Sequence, residues 1–246
     1  MTAPELVLLV TGIFAIAVLY SSVGHAGGSG YIAWMALLGF APSEIRPVAL
    51  GLNILAASVA TVQFAQAGLF SFRRFWPFAL LAIPAALVGG ALALPTRVFQ
   101  VILGLVLVYS AVRFFVRKAD SAAPPREAPL PAALGTGAGI GFLSGLTGTG
   151  GGIFLSPLVI FLGWMDARAA SGLAAPFILV NSIAGVVGYY WSSNPHLPAF
   201  FPLLAVAAVG GAAAGSRLGS RRLAIPAIQK ALAAVLLLAA AKLLLT

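Results

Sequence analysis

Apolar runs dominate the chain, cut at regular intervals by short polar or glycine-rich stretches, and they fall into two series of five. The first runs Leu6–Ser21, Tyr31–Phe40, Pro47–Ala67, Phe75–Leu94 and Val98–Val116; the second runs Ala132–Leu146, Ile153–Gly163, Ala169–Trp191, Phe200–Gly215 and Pro226–Leu245. Crossing a bilayer takes about 20 apolar residues in a helix. The third, fourth and fifth runs of each series meet that length, and the second reaches only partway. Each half is therefore expected to be a broken helical hairpin, made of a helix, a glycine break and a short returning helix, followed by three spanning helices. The fold class is an all-α polytopic membrane protein.

The two series read as an internal duplication. Gly24 aligns with Gly148, Gly27-Gly28 with Gly151-Gly152, and Gly39-Phe40 with Gly163-Trp164. Leu52-Asn53-Ile54-Leu55-Ala56 aligns with Val180-Asn181-Ser182-Ile183-Ala184, and Trp76-Pro77 with Phe201-Pro202. Gln100 and Arg113 align with Gln229 and Lys242. Between the series lies a stretch with linker composition, Pro124-Pro125-Arg126-Glu127 at its centre. The expected organisation is residues 1–117 as the first membrane repeat, 118–131 as a cytoplasmic linker, and 132–246 as the second repeat.

Composition agrees with the membrane reading: 61% of residues are hydrophobic and 8% charged, too few charges to cover a soluble core of this size. With no cysteine, disulfides and thiolate metal sites are excluded, and no cofactor or metal is expected. The N-terminus lacks the basic region of a signal peptide, so Leu6–Tyr20 is expected to stay in the mature protein. The net charge of +9 fits cationic cytoplasmic loops better than a nucleic-acid partner. Arg73-Arg74, the linker cations Arg117, Lys118 and Arg126, and Arg217, Arg221 and Arg222 belong inside by that rule. The second-half counterpart of the Arg73-Arg74 loop, Ser192–Pro198, has no Lys or Arg and belongs outside. The same loop inside in one half and outside in the other makes the repeats inverted, with both termini outside. Arg46 and Arg97 fall on the outer side against this pattern.

The breaks carry the candidate chemistry. They read Ser21-Ser22-Val23-Gly24-His25-Ala26-Gly27-Gly28-Ser29-Gly30 and Ser144-Gly145-Leu146-Thr147-Gly148-Thr149-Gly150-Gly151-Gly152. Irregular backbone at membrane depth is tolerated where it is buried in protein or lines a cavity. Paired breaks at matching positions in two halves point to a transporter's binding site. The short helix after each break presents unpaired N–H groups and a positive dipole end, which suits an anion. Gly24, Gly27, Gly28, Gly148, Gly150 and Gly151 allow backbone to approach such a ligand. Ser22, Ser29, Thr147 and Thr149, with Ser21 and Ser144, either donate to its oxygens or bond backbone freed by the breaks. Asn53 and Asn181, with Ser182 beside the latter, sit at equivalent places in long apolar spans. They serve either the site or helix–helix bonding. His25 is the one ionisable side chain near the presumed midplane, because Glu5, Glu44, Asp120, Glu127 and Asp166 all lie at segment ends or in the linker. It is either the proton-coupling group or a hydrogen-bonding one, since Thr149 stands at its place in the second half. Gly135, Gly139, Gly141 and Gly145, and Gly211, Gly215 and Gly219, suit close helix packing.

Other classes fit less well. Gly148–Gly152 lacks the Lys-Ser/Thr of a phosphate-binding loop and no strand precedes it. An intramembrane hydrolase using Ser29 and His25 would draw both groups from one break. An anion channel would more often show charged rings.

The breaks, each followed by a short apolar run and a Gly-aromatic turn, carry a family resemblance, as do Arg46–Ala56, Phe177–Gly185 and Phe75-Trp76-Pro77-Phe78-Ala79. Over nearly its whole length the chain resembles the TauE/SafE group, the sulfite exporter or DUF81 family of membrane transporters. The resemblance implies a multi-pass carrier of the bacterial inner membrane that moves sulfite, thiosulfate, organosulfonates or related small anions. It also implies seven or eight spans from a four-span duplication, against the six spans and two hairpins read from the charges. The expected partners are a small anionic substrate and the lipid bilayer, with protons as the candidate coupling ion and the oligomeric state open.

Overall fold

The computed structural model describes residues 2–92, 95–116, 126–193 and 196–221, together with positions 237, 240, 241 and 244. The described residues form helices α1 (Ala3–Ser21), α2 (Gly28–Leu37), α3 (Pro42–Gln66), α4 (Phe72–Ala91), α5 (Thr96–Val116), α6 (Leu130–Thr147), α7 (Gly152–Phe161), α8 (Ala167–Ser192) and α9 (Phe201–Arg221). The all-helical fold class holds. Among these residues α1, α3, α4, α6, α8 and α9 are long and apolar enough to cross a membrane.

That set differs from the expected one. The first arm of each hairpin is itself of spanning length, because α1 starts at Ala3 rather than Leu6 and α6 runs from Leu130 to Thr147 rather than from Ala132 to Leu146. The last run of the second series, with Gln229 and Lys242, lies largely outside the described residues, as do Arg117, Lys118, Asp120 and Arg222. Both breaks are also shorter than expected. Gly28, Ser29 and Gly30 already belong to α2, and Gly152 to α7.

The helices end for local reasons. Gly24, at φ 79°, closes α1: its N–H donates to the Ser21 carbonyl and the His25 N–H to the Tyr20 carbonyl. This paired pattern needs a left-handed residue, which glycine adopts without a Cβ clash. Gly148, at φ 81°, closes α6 with its N–H on Ser144. The two hairpins also match further on. Gly27 and Gly151 are left-handed N-caps, α2 and α7 have ten residues each, and Gly39 and Gly163 repeat the left-handed stop. The carboxylates sit at helix starts: Glu5 accepts from the Thr2 N–H, Glu44 from the Ala41 N–H, and Asp166 from the Ala169 N–H. There they complement the positive dipole ends.

Packing exchanges one helix between the halves. The fourth helix of the first half, α4, packs most extensively on α6, and its counterpart α9 packs most extensively on α1. One core joins α1, α2, α3, α5 and α9 and takes in Ile153 of α7; another joins α4, α6, α7 and α8, and Phe154 of α7 packs against both. Small residues make both seams. A Cβ at Gly137, Gly141 or Gly145 would strike the carbonyls of Phe78, Ala82 and Ala86 in turn. One at Gly211, Gly215 or Gly219 would strike those of Phe14, Val18 and Ser22. Gly135 and Gly139 face open space, which corrects their expected place in the seam. They lie on the opposite face of α6 from the four-residue stripe that meets α4.

The seams also give directions. Rising numbers pair with rising numbers in both, so α6 runs parallel to α4 and α9 to α1. Helices α3 and α8 run antiparallel: Tyr189 lies over Arg46 near the start of α3, and Gly172 abuts Leu69 just past its end. The end of the molecule holding Leu69 also carries Arg73, Arg74, Arg126 and Arg217. There Arg73 meets Glu127 at 3.3 Å on the surface.

Candidate functional site

The two breaks meet in the interior, 127 residues apart in sequence, where His25 Nε2 lies 2.9 Å from the Gly152 carbonyl. A carbonyl only accepts, so Nε2 carries the proton in this arrangement. The His25 ring stands edge-on to Tyr20, with centroids 6.4 Å apart. Gly28, at the start of α2, leaves no room for a Cβ: it would press on the Asn53 amide and the Thr149 carbonyl. A Cβ at Gly150 would lie 3.0 Å from Asn53 Nδ2 and 3.4 Å from Ser182 Oγ. One at Gly152 would meet Ile178 and the His25 ring. The starts of α2 and α7 thus lie next to each other, pointing in from opposite ends. Neither has a side-chain cap, so the first-turn N–H groups are not taken by a capping side chain.

Of the two amides in the long helices, Asn53 enters the same centre, while Asn181 is bonded within its own helix. Asn53 is fully buried and donates from Nδ2 to the Gly148 carbonyl at 3.1 Å, tying α3 to the second break. Asn181 donates to the Phe177 carbonyl one turn back in α8, at 2.9 Å. Asn53 Oδ1, Asn181 Oδ1, Ser182 Oγ and Ser144 Oγ are buried and have no hydrogen-bond partner among the described residues. A buried polar atom without a partner costs about 1–3 kcal/mol, so Asn53 Oδ1 and Ser182 Oγ, both beside Gly150, call for a function or a ligand.

The structure sorts the expected residues. His25, Gly28, Asn53, Gly148, Thr149, Gly150 and Ser182 come together at the crossing. Gly27 packs on Tyr31 of its own hairpin, Gly24 on Ser171 of α8, and Gly151 against Ile140, Phe177 and Ser144. Thr147 donates to the Leu143 carbonyl and touches the Thr149 hydroxyl at 3.0 Å. Ser22 donates to the Leu19 carbonyl and lies in the α1–α9 seam, away from the crossing. Ser29 pairs with the Tyr20 hydroxyl at 2.8 Å inside the first hairpin, not with His25.

Arg46 carries a role that the charge pattern misassigned. It is 5% exposed; its Nη2 lies 2.7–2.9 Å from the carbonyls of Gly89, Gly90 and Gly145, sharing its two protons among the three, and Nη1 donates to the Leu92 carbonyl at 3.2 Å. Its guanidinium stacks on Tyr189, 4.6 Å from the ring centre. It therefore caps the negative end of α4 and pins α6 to it. A buried cap says nothing about which side a loop faces, so Arg46 drops out of the topology count. Ala49, Leu50 and Leu52, one to two turns further on, are all fully buried. The signal available in sequence was an arginine flanked by this apolar run.

An all-helical membrane fold in which two uncapped helix starts converge beside a buried asparagine belongs to the class of polytopic membrane transporters. The chain belongs to the sulfite exporter TauE/SafE family, whose model matches residues 8–243. It is also 43% identical, over 244 residues and 98% of each chain, to a protein of Sinorhizobium fredii (strain NBRC 101917 / NGR234) named "Probable membrane transporter protein y4hK". No solved structure matches the chain.

Proposed function

We propose that the protein is a secondary carrier that moves a small sulfur oxyanion, such as sulfite, thiosulfate or an organosulfonate, across the bacterial inner membrane by alternating access. The observation that carries this reading is the meeting of the breaks at His25 and Gly152, with Gly28 against Asn53 and Thr149. The first-turn N–H groups of α2 and α7 supply positive potential at the crossing without a buried cation. The second amide proton of Asn53 and the Ser182 hydroxyl add donors. Such a site suits an anion of three or four oxygens, which takes several donors from different directions.

In this reading residues 1–117 and 132–246 are inverted repeats joined by a cytoplasmic linker at 118–131. The antiparallel course of α3 and α8, the matched left-handed glycines and the gathering of arginines at one end support it. The moving bodies then follow the two cores: α1, α2, α3, α5 and α9 against α4, α6, α7 and α8, meeting where α3 crosses α8. His25 is the group on which proton coupling would act, because only one break carries an imidazole.

The test is uptake of a panel of sulfur oxyanions into liposomes holding the purified protein, with and without a proton gradient. Saturable flux for at least one anion is expected, and Asn53→Ala and Asn181→Ala should weaken it while leaving assembly intact. Absence of saturable flux for every anion would sink the carrier reading. Unchanged affinity in both variants would make the asparagines packing residues.

A further inference from the structure

Three oxygens at the crossing of the breaks accept no hydrogen bond among the described residues. Asn53 Oδ1 and Ser182 Oγ are fully buried and have no partner. The third is the Thr149 carbonyl, which lies between α6 and α7 and takes no backbone N–H. The Asn53 amide has a fixed orientation. Its Nδ2 is 3.1 Å from the Gly148 carbonyl, and a carbonyl only accepts, so the NH₂ edge lies there and Oδ1 is turned away from it. Two glycines bring the other oxygens to this amide. A Cβ at Gly28 would strike the Thr149 carbonyl oxygen and lie 2.9 Å from Asn53 Oδ1. One at Gly150 would lie 3.0 Å from Asn53 Nδ2 and 3.4 Å from Ser182 Oγ. The Thr149 carbonyl and the Ser182 hydroxyl are thus neighbours of one amide, each reached past a residue with no side chain to fill the space.

Ser182 differs from other serines inside the helices. Ser58, Ser171 and Ser216 donate to the carbonyls four residues back, those of Ile54, Ala167 and Ala212. That local bond satisfies a helix serine without outside help. Ser182 stands in the middle of α8 and does not make it. Oxygens left open in apolar surroundings are stabilised by a positive partner, and the nearby side chains do not provide one. Arg46 turns its stem and its carbonyl to Gly148 and commits its guanidinium to the carbonyls of Gly89, Gly90, Gly145 and Leu92. Divalent hard ions draw on carboxylates, and no group of three His, Cys, Asp or Glu occurs among the described residues. Neutral oxygens alone suit a monovalent ion. Each break also sets a negative helix end beside a positive one, and Gly148 and Thr149 follow directly on the end of α6. Broken helices in carriers use such unwound carbonyls and helix ends for cations, and the opposite helix starts for anions.

We propose that Asn53 Oδ1, Ser182 Oγ and the Thr149 carbonyl bind a small monovalent cation such as sodium. Asn53 belongs to α3, in the first core, and Ser182 to α8, in the second, so the ion bridges the two bodies. A hydroxyl that holds a cation turns its proton away, which lets Ser182 hold the cation and donate to an anion at once. The site stands on this geometry alone; its role as a coupling ion rests on the carrier reading.

The probe is sodium. Thermal unfolding of the purified protein in one detergent would be compared in choline chloride and in sodium chloride at the same chloride concentration, with no sulfur oxyanion present. An ion that binds only the native state raises the midpoint once its concentration passes its dissociation constant. The midpoint should rise by about 5–10 °C at a sodium concentration roughly a hundredfold above that constant. Ser182→Ala should unfold in choline as the parent does, because its hydroxyl makes no bond to lose, yet need roughly tenfold more sodium for the same rise. Ser58→Ala, which removes a hydroxyl bonded within α3, should keep the parental sodium response. Equal midpoints in sodium and choline would overturn the proposal and assign the three oxygens to a buried water. A sodium response that survives Ser182→Ala unchanged would overturn it as well. A sodium response as expected in a protein with no saturable oxyanion flux in liposomes would keep the cation site and remove the carrier reading. Saturable flux with a midpoint indifferent to sodium would keep the carrier and remove the site.

Discussion

Replacing Arg46 with methionine tests whether a buried arginine holds two helices together or holds substrate. Methionine keeps most of the apolar stem and deletes the guanidinium. Three of the four carbonyls it serves, those of Gly89, Gly90 and Gly145, are buried. The fourth, that of Leu92, is on an exposed residue and can turn to water. Three orphaned carbonyls at about 1–3 kcal/mol each give a loss of roughly 3–9 kcal/mol before relaxation. The stacking on Tyr189 adds about 1 kcal/mol. Against this, the native state already carries an unpartnered Arg46 Nε and the cost of a buried charge, which the variant removes. A net loss of about 3 kcal/mol follows, or roughly 6–12 °C at about 2–4 °C per kcal/mol for a chain of this size. The assay is thermal unfolding in one detergent, followed by tryptophan fluorescence. Arg46→Lys should recover only part of the loss, because an ammonium is a point donor and cannot span four carbonyls on two helices. Arg97→Met, which removes only a surface bond to the Leu244 carbonyl, is the control and should move the midpoint little. An Arg46→Met protein that unfolds within about 1 °C of the parent but needs far more anion for half-maximal flux would refute the capping argument. It would place Arg46 in the transport path.

Three further outcomes follow from the geometry. Gly141→Leu should prevent assembly, seen as aggregation in detergent chromatography, whereas Gly139→Leu, two residues away on the open face of α6, should leave a monodisperse peak. Gly28→Ala should reach the membrane in normal amount yet lose flux by at least tenfold, because its methyl would displace the Asn53 amide from the crossing; unchanged flux would mean that the α2 start does not line the path. His25→Gln keeps a donor for the Gly152 carbonyl but cannot titrate, so flux should survive while its variation between about pH 5 and 8 flattens. Retention of the parental pH profile would remove His25 from coupling.

Much of this architecture is readable in the chain because similar residues recur at matching places in its two apolar series. Gly24 with Gly148, Gly27 with Gly151 and Gly39 with Gly163 were alignable as letters, and all six adopt left-handed backbone. Asn53 and Asn181 were alignable too, and both are fully buried. The limits came where function depends on what faces what. Helical spacing shows that α6 has a glycine stripe, but only its neighbour decides that Gly137, Gly141 and Gly145 are used and Gly135 is not. Ser29 lies beside His25 in sequence, yet the turn into α2 directs it to Tyr20. Arg46 was counted as a loop charge because a count of charges cannot see the carbonyls that a helix end leaves bare.

The exchange of α4 and α9 between the halves was out of reach for the same reason, and it changes how the molecule can move. Two sequence halves joined by a linker would rock as independent bodies, but here each half has its fourth helix locked into the other through a glycine seam. Neither seam can slide without driving a Cα or carbonyl into the facing backbone, so the seams act as rigid joints. In the alternating-access reading, motion would fall on what joins the two cores without such a seam: the crossing of α3 and α8 and the cluster of Ala26, Ala56, Ala57, Ile178 and Ala212 beside it. Four of the five side chains in that cluster are alanine, so Ile178 is the one large group that would have to turn for it to part. The pathway should therefore open at the cluster first, with the helix starts of α2 and α7 following. Locking α4 to α6 more tightly should leave transport rates unchanged, and cross-linking Ala57 to Ala212 should stop them.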